Sequence, residues 1–150
     1  MQENAKKYMK EALEQARLAA SKGEVPVGAV VVYNDQIVAR AHNQVEVLKD
    51  PTAHAEVLAI REACSVLDSW RLEDAALYVT LEPCTMCIGA ILSSRLREVC
   101  FAAYDEKQGA VGSLYDLAAH PELPRKVAVT AELFKEESLK LLREFFKDKR

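Results

Sequence analysis

Four residues in two short segments have the side chains that a hydrolytic metal site needs. His54 is followed two residues later by Glu56, and Cys84 and Cys87 form a Cys-x-x-Cys pair. One imidazole and two thiolates supply three of the four ligands that a zinc ion takes, and a catalytic zinc site leaves the fourth position to water. A carboxylate beside that water can handle its protons, which is the role we expect for Glu56. The pattern therefore predicts zinc-dependent hydrolysis.

Each segment on its own is also compatible with a different kind of site. A Cys-x-x-Cys pair occurs at redox sites, although no thioredoxin-like context surrounds this one. A structural zinc site would need a fourth protein ligand, for which His42, in strand-like sequence, is the remaining candidate. A protein with such a closed site would be a zinc-stabilised binding module that catalyses no reaction. The conjunction of the two segments, 30 residues apart (84 − 54) and each at the start of a predicted helix, favours the catalytic interpretation.

The position of both segments at helix starts has a chemical consequence. The partial positive charge at a helix N-terminus favours the thiolate forms of Cys84 and Cys87. Two thiolates also cancel the charge of the zinc ion, so that its water is less acidic than water held by three histidines. A carboxylate is then needed to accept the proton, which gives Glu56 a definite role.

The elements that would position these residues alternate along the chain. Apolar residues at helical spacing predict helices over 4–21, 53–67, 85–93 and 132–147, with a short helix near 113–118. Apolar and β-branched runs predict strands over 27–33, 36–41, 76–81, 98–103 and 126–130. Thr52 is the expected N-cap of the second helix, and Gly28 marks either a close approach or a bulge in the first strand. This order predicts an α/β sandwich with a mixed sheet, in one domain over residues 1–150.

Length and composition limit the class of protein. The 150 residues are half apolar and 29% charged, which is ordinary for one globular domain. Four cysteines are too few for a disulfide scaffold, and no signal segment or apolar run of about 18 residues is present. We therefore expect a cytoplasmic protein with no membrane segment.

The charge of the chain is unevenly distributed. The net charge is −3, which is no general signature of a nucleic-acid binder. Residues 125–150, however, contain eight Lys or Arg and five Asp or Glu, a net charge of 8 − 5 = +3. This basic tail is compatible with phosphate binding and equally with a solvated helix face.

Further stretches along almost the whole chain resemble the bacterial tRNA-specific adenosine deaminases, in the zinc cytidine-deaminase superfamily. Besides the metal segments, these stretches are Glu24–Ala29, Asp50–Glu56, Leu77–Cys84, Ser93–Arg95, Asp105–Ala110 and the Phe145-Phe146 pair. The resemblance implies a cytidine-deaminase-like fold, which is a three-layer α/β/α sandwich around a mixed five-stranded sheet, and a homodimer. It also implies that the chain hydrolyses adenosine to inosine in nucleic acid, with the wobble adenosine of a tRNA anticodon loop as the expected substrate.

The resemblance further assigns roles to individual residues. It implies that His54, Cys84 and Cys87 hold Zn²⁺ and that Glu56 moves protons between water, N1 of adenine and the leaving amine. For the remaining substrate contacts it implies Asn43 on the purine, Val27 and Ala55 along the base pocket, and Asp105 and Phe146 near the flanking nucleotides.

The sequence departs from the family pattern at one place. The family usually has an Asn where this chain has Pro124, and proline cannot form the hydrogen bonds of an Asn side chain. Recognition of the anticodon loop by this segment is therefore open, although Arg125 and Lys126 can still contact phosphates. Single-stranded DNA and free nucleobases or nucleosides, such as guanine or cytosine, remain alternative substrates.

Overall fold

The computed structural model describes residues 2–148, in which helices and strands alternate. Their order along the chain is α1 (Gln2–Ser21), β1 (Gly28–Tyr33), β2 (Gln36–His42), α2 (Val45–Leu48), α3 (Ala55–Leu67), β3 (Ala75–Leu81), α4 (Thr85–Ser93), β4 (Glu98–Ala103), β5 (Ala128–Ala131) and α5 (Lys135–Asp148). No helix in the described range is both long and apolar enough to span a bilayer.

The five strands form one mixed sheet in the order β2-β1-β3-β4-β5. β1 pairs antiparallel with β2 and β3, whereas β3, β4 and β5 run parallel to one another. α1 and α5 pack on one face of the sheet, and α3 and α4 pack against each other on the opposite side. The predicted three-layer α/β/α sandwich around a mixed five-stranded sheet is confirmed.

Alternating side chains of the central strands fill two separate cores. Val31, Val79 and Phe101 point to the face covered by α3 and α4, in a cluster that includes Ala59 and Ile88. The intervening strand residues point to the other face, where Val30, Tyr78 and Cys100 pack against Tyr8 and Met9 of α1. Because both faces are covered, the central strands are apolar at almost every position.

Gly28 marks a close approach of α1 to the sheet. A Cβ atom at this position would lie 2.0 Å from the Ala12 carbonyl oxygen, so the helix backbone packs directly on the strand. The register shift of the β1–β2 pair occurs between Val31 and Val32 instead. The close-approach interpretation of Gly28 is therefore correct and the bulge interpretation is wrong.

Several predicted elements differ from the structure by one to three residues, the short helix α2 was not predicted, and the following differences have an identifiable cause. Residues 113–118 form turns and one side of a bridge between Val111 and Asp116 rather than a helix, because the Ser113 N–H bonds to the distant Glu82 carboxylate and Leu117 bonds back to Ala110. α3 begins two residues later than predicted, since the Thr52 N–H and hydroxyl both bond to the Asp50 side chain in a local turn. α5 begins only at Lys135, because Glu132 and Phe134 have φ values of 68° and 60°.

Candidate metal centre and nucleotide cavity

His54, Cys84 and Cys87 come together where α3 and α4 begin. His54 is the N-cap residue of α3 and Cys84 is the N-cap residue of α4, with Cys87 in the first turn of α4. His54 Nδ1 lies 3.6 Å from Cys84 Sγ and 3.5 Å from Cys87 Sγ. The three atoms lie within 4.8 Å of one another and form a candidate metal site.

The dimensions of this triangle fit a zinc ion. A tetrahedral ion with Zn–S bonds of about 2.3 Å and Zn–N bonds of about 2.0 Å places nitrogen and sulfur about 3.5 Å apart. In residues 2–148, the group of ligand atoms contains no fourth His, Cys, Asp or Glu. His42 lies elsewhere, with Nδ1 3.3 Å from Gln15 Oε1. The alternative of a structural site closed by His42 is therefore wrong.

The two thiols and the imidazole interact strongly with one another. The Cys87 S–H donates to the Cys84 sulfur, which together with His54 lowers the pKa of Cys84 to about 4. The same contact and burial raise the pKa of Cys87. The hydrogen bond with Cys84 raises the pKa of His54. Cys84 is thus favoured as a thiolate beside the imidazole of His54, while Cys87 keeps its proton, and a metal ion bound there would displace the protons of its ligands.

Glu56 lies beside this triangle in the first turn of α3. Its side chain is 4% exposed, and burial raises its pKa to about 7. Its carboxylate hydrogen-bonds with Cys87 and is drawn to the charge of His54. A carboxylate that can hold or release a proton near neutral pH is suited to acid–base chemistry.

His54, Cys84 and Glu56 line a cavity of about 1430 Å³, and Cys87 is fully buried behind them. Four of the residues expected to contact substrate line this cavity: Val27, Asn43, Asp105 and Phe146. Ala55, the first residue of α3, is fully buried in the core and is not among the lining residues. The role of Ala55 in the base pocket stays a prediction. Phe146 is half exposed, with its ring 5.2 Å from that of Phe145.

Other residues of the cavity were not identified from the sequence. Glu24 is buried and accepts hydrogen bonds from the N–H groups of Glu46 and Val47, so it caps the short helix α2. Glu82 is buried and bonds to the loop after β4. Glu82 stands between apolar strand residues and Pro83, and this position could have indicated a buried carboxylate with a structural role. Carboxylates are rarely buried unless hydrogen bonds or an opposite charge compensate them. No such signal distinguishes Glu24.

The segment that departs from the family pattern lies away from this cavity. Val127 bonds to Ala118, and Ala128 bonds to Arg97 just before β4, at the end of the sheet opposite to the metal ligands. Lys126 Nζ donates to the carbonyl groups of His120 and Leu123. Within the described chain, residues 120–126 are not among those lining the cavity.

The fold and the site define the class of the protein. A His-Cys-Cys triangle beside a buried carboxylate, where β3 ends in a three-layer sandwich, is the arrangement of the metal-dependent deaminases.

The family model of the MafB19-like deaminases matches residues 3–150. A tRNA-specific adenosine deaminase of Bacillus subtilis is 48% identical over 143 residues, covering 95% of this chain and 89% of that protein. Its counterpart from Aquifex aeolicus is 50% identical over 140 residues, covering 93% and 92%. The chain belongs to this family of tRNA-specific adenosine deaminases.

Solved structures agree with this placement. A structure from work on A-to-I editing by tRNA:A34 deaminases has a TM-score of 0.87 and 44% identity, covering 90% of this chain and 98% of that one. Guanine deaminases are also similar. The enzyme from Bacillus subtilis has a TM-score of 0.65 at 34% identity, covering 94% and 92%. The enzyme from Nitrosomonas europaea has a TM-score of 0.77 at 28% identity, covering 93% and 83%.

Proposed function

We propose that this chain hydrolyses adenosine to inosine in RNA, at the wobble position of a tRNA anticodon loop, with zinc as its cofactor. The observation that carries the proposal is the position of Glu56 beside the His54, Cys84 and Cys87 triangle, in a cavity that continues to Phe146. The relatives named tRNA-specific adenosine deaminases support the choice of substrate.

The three ligand residues would hold the metal, and the triangle dimensions support zinc. Zinc bound there would lower the pKa of a water molecule and so supply a nucleophile at neutral pH. The thiolate and imidazole ligands would be oriented by the first turns of α3 and α4, so they are preorganised by the two helices.

Glu56 would carry out the proton transfers. It accepts a proton from the attacking water as the oxygen adds to C6 of adenine, and it delivers a proton to N1. A second proton passes through Glu56 to the exocyclic nitrogen, which leaves as ammonia. One water is consumed, and adenosine becomes inosine.

The rest of the cavity would bind the base and its neighbours. Asn43 and Val27 lie close to each other, since the Asn43 N–H donates to the Val27 carbonyl at 3.0 Å, and we assign them to the target purine. We assign Asp105 and the exposed ring of Phe146 to flanking nucleotides. The volume of about 1430 Å³ exceeds the roughly 300–1000 Å³ of a typical small-molecule site, which supports a polymer substrate. Bases in an anticodon loop are already accessible, so little energy is spent on extrusion.

We also propose that the chain is a cytoplasmic homodimer. An exposed apolar patch supports dimerisation: Met86 of α4 is 36% exposed, Leu114 is 53% exposed and Tyr115 is 47% exposed. Thr85 and Tyr115 are hydrogen-bonded through their hydroxyl groups, so the start of α4 and the 114–115 segment form one surface.

One assay discriminates between the candidate substrates. The protein is incubated separately with an anticodon stem-loop that carries adenosine, a matched single-stranded DNA, free adenosine and free guanine, and the deaminated products are measured. Inosine from the stem-loop is the expected result. Xanthine from guanine alone would favour the second candidate function, which the similarity to guanine deaminases suggests. No product from any substrate would favour the binding module.

Replacing Glu56 by Ala tests the proposed mechanism. We expect turnover to fall by at least about 100-fold, because general acid–base catalysis contributes on the order of 10²–10⁴. The zinc content should stay the same, since Glu56 is not a proposed ligand. Zinc is measured by elemental analysis and inosine by digestion and chromatography. As a matched control, Glu14→Ala removes an exposed carboxylate of α1 and should leave both values unchanged. Undiminished turnover in Glu56→Ala would contradict the mechanism.

A further inference from the structure

The buried carboxylate of Glu82 bonds to both ends of one loop beside the candidate metal centre. We name residues 105–113, which follow β4, the 105–113 loop. Glu82 Oε1 accepts hydrogen bonds from the Asp105 N–H at 2.9 Å and from the Ser113 hydroxyl. Glu82 Oε2 accepts hydrogen bonds from the N–H groups of Val111 at 2.8 Å and Ser113 at 3.0 Å. The Glu82 residue is 2% exposed, so these four donors replace the water that would otherwise solvate its carboxylate.

The loop backbone packs directly on this carboxylate. A Cβ atom at Gly109 would lie 2.2 Å from the Glu82 carboxyl carbon, so a side chain there would displace Glu82. The next residue, Ala110, donates its N–H to the Pro83 carbonyl at 2.9 Å. The loop is therefore held against the segment that carries the metal ligand Cys84.

The first residues of the 105–113 loop face the cavity. Asp105, Glu106, Lys107 and Gln108 all line it. The Asp105 side chain accepts hydrogen bonds from the N–H groups of Lys107 at 3.1 Å and Gln108 at 3.2 Å. The bond from Glu82 to the Asp105 N–H thus fixes the first residue of a turn whose polar groups point towards the substrate space.

We propose that Glu82 is a positioning residue for the nucleic-acid substrate, which holds the 105–113 loop where it contacts nucleotides next to the target base. The inference rests on the proposed function and deepens it. An ionised carboxylate suits this position because it only accepts hydrogen bonds and can face four donors at once. Glu82 takes no part in the proton transfers assigned to Glu56.

Glu82→Gln tests the proposal because it disturbs one identifiable bond. The amide oxygen of Gln can accept from the Val111 and Ser113 N–H groups, and its NH₂ group can donate to the Ser113 hydroxyl. Only the Asp105 N–H then faces another donor. We expect faster hydrogen exchange at the Asp105 amide, with protection retained at Val111 and Ser113.

The kinetic effect should appear in substrate binding. We expect KM for the anticodon stem-loop to rise about 10-fold, the factor that corresponds to one unsatisfied buried donor. The kcat value should stay within about twofold of the wild-type value, because groups at the reacting base are unchanged. The zinc content should also be unchanged.

Two further variants make the test specific. Ser113→Ala removes only the hydroxyl bond to Glu82 and should raise KM by about threefold. Combined with Glu82→Gln it should give less than the product of the two effects, since both act on one network. Glu14→Gln removes an exposed charge that pairs with Arg17 and should change neither KM nor loop exchange.

Different outcomes separate this proposal from the proposed function. Lost zinc or a lower kcat at unchanged KM in Glu82→Gln would overturn the proposal, because Glu82 would then support the metal centre. Unchanged KM together with unchanged Asp105 exchange would overturn it as well. If the wild-type protein forms no inosine, the proposed function is wrong. Faster exchange at Asp105 would then show only that Glu82 orders the loop, and the proposed role in positioning a substrate would be wrong as well. An active wild type with the expected KM and exchange changes would support both.

Discussion

Three buried carboxylates differ in what surrounds them. Glu24 and Glu82 accept backbone N–H groups, which compensate the cost of burying their charge. Glu56 hydrogen-bonds with the thiol of Cys87 and is attracted electrostatically by His54, and burial raises its pKa to about 7. The same type of side chain can therefore support backbone structure in two places and proton transfer in the third.

His42 allows a test of linkage between stability and pH. It is 7% exposed, and its Nε2 has no hydrogen-bond partner among residues 2–148. Burial and the charge of Lys22 lower its pKa, and the opposing effect of Glu24 is smaller. Since the unfolded chain binds a proton more readily, His42 should reduce the free energy of unfolding as the pH falls below about 6.5.

We therefore expect His42→Asn to lose less stability than the wild-type protein between pH 7.5 and pH 5. The measurement is urea unfolding at several pH values. At pH 8 the imidazole is neutral in both states, so the difference measured there gives the packing effect alone and serves as the control. Equal slopes of stability against pH in the two proteins would contradict the role of His42.

At the scale of elements, a buried hydroxyl of α5 bonds to the sheet on which this helix packs. The Ser138 side chain is 1% exposed and donates to the Thr80 carbonyl of β3 at 2.5 Å. The Thr80 hydroxyl in turn accepts from the Gly28 N–H at 3.1 Å. One residue before the end of β3 thus links the start of β1 to the helix that carries Phe146.

Ser138→Ala should loosen this attachment. We expect a loss of about 1 kcal/mol in the free energy of unfolding and a rise in KM for the stem-loop, because α5 forms one wall of the cavity. Chemical unfolding and steady-state kinetics give the two values. Ser21→Ala removes an exposed hydroxyl that bonds within α1 and should have little effect on either. A lower kcat with unchanged KM would count against this role of α5.

The sequence predicted the elements better than the contacts between them. The strands and main helices follow from apolar periodicity, and the residues of the metal triangle from their chemical types. The false helix near 113–118 arose because bonds from Val111 and Ser113 to Glu82, which is about 30 positions earlier in the sequence, decide the backbone there. The late start of α3 has a local cause, in which Asp50 competes for the Thr52 donors. Neither effect appears in a periodicity pattern.

At the scale of the whole molecule, the two helical layers contribute differently. The α3 and α4 layer supplies the proposed metal ligands and Glu56 from two helix N-termini. On the opposite face, α5 supplies Leu139, Leu142 and Phe146 to the cavity wall. The sheet therefore lies between the proposed catalytic residues and α5, which we assign to binding the flanking nucleotides. The cavity lies at the edge of the sheet, where residues of both helical layers meet.

The exposed patch of Met86, Leu114 and Tyr115 leads to a prediction about assembly. Burying these side chains against a second copy would remove apolar surface from water, which drives association at about 25 cal/mol per Å². We expect the wild-type protein to sediment as a dimer. Leu114→Glu should shift it towards the monomer, because dimerisation would then bury an unpaired charge. Leu18→Glu makes the same change at a 39% exposed position of α1, in the other layer, and should remain dimeric. A monomeric wild-type protein, or a Leu114→Glu protein that remains a dimer, would show that this patch is not the interface.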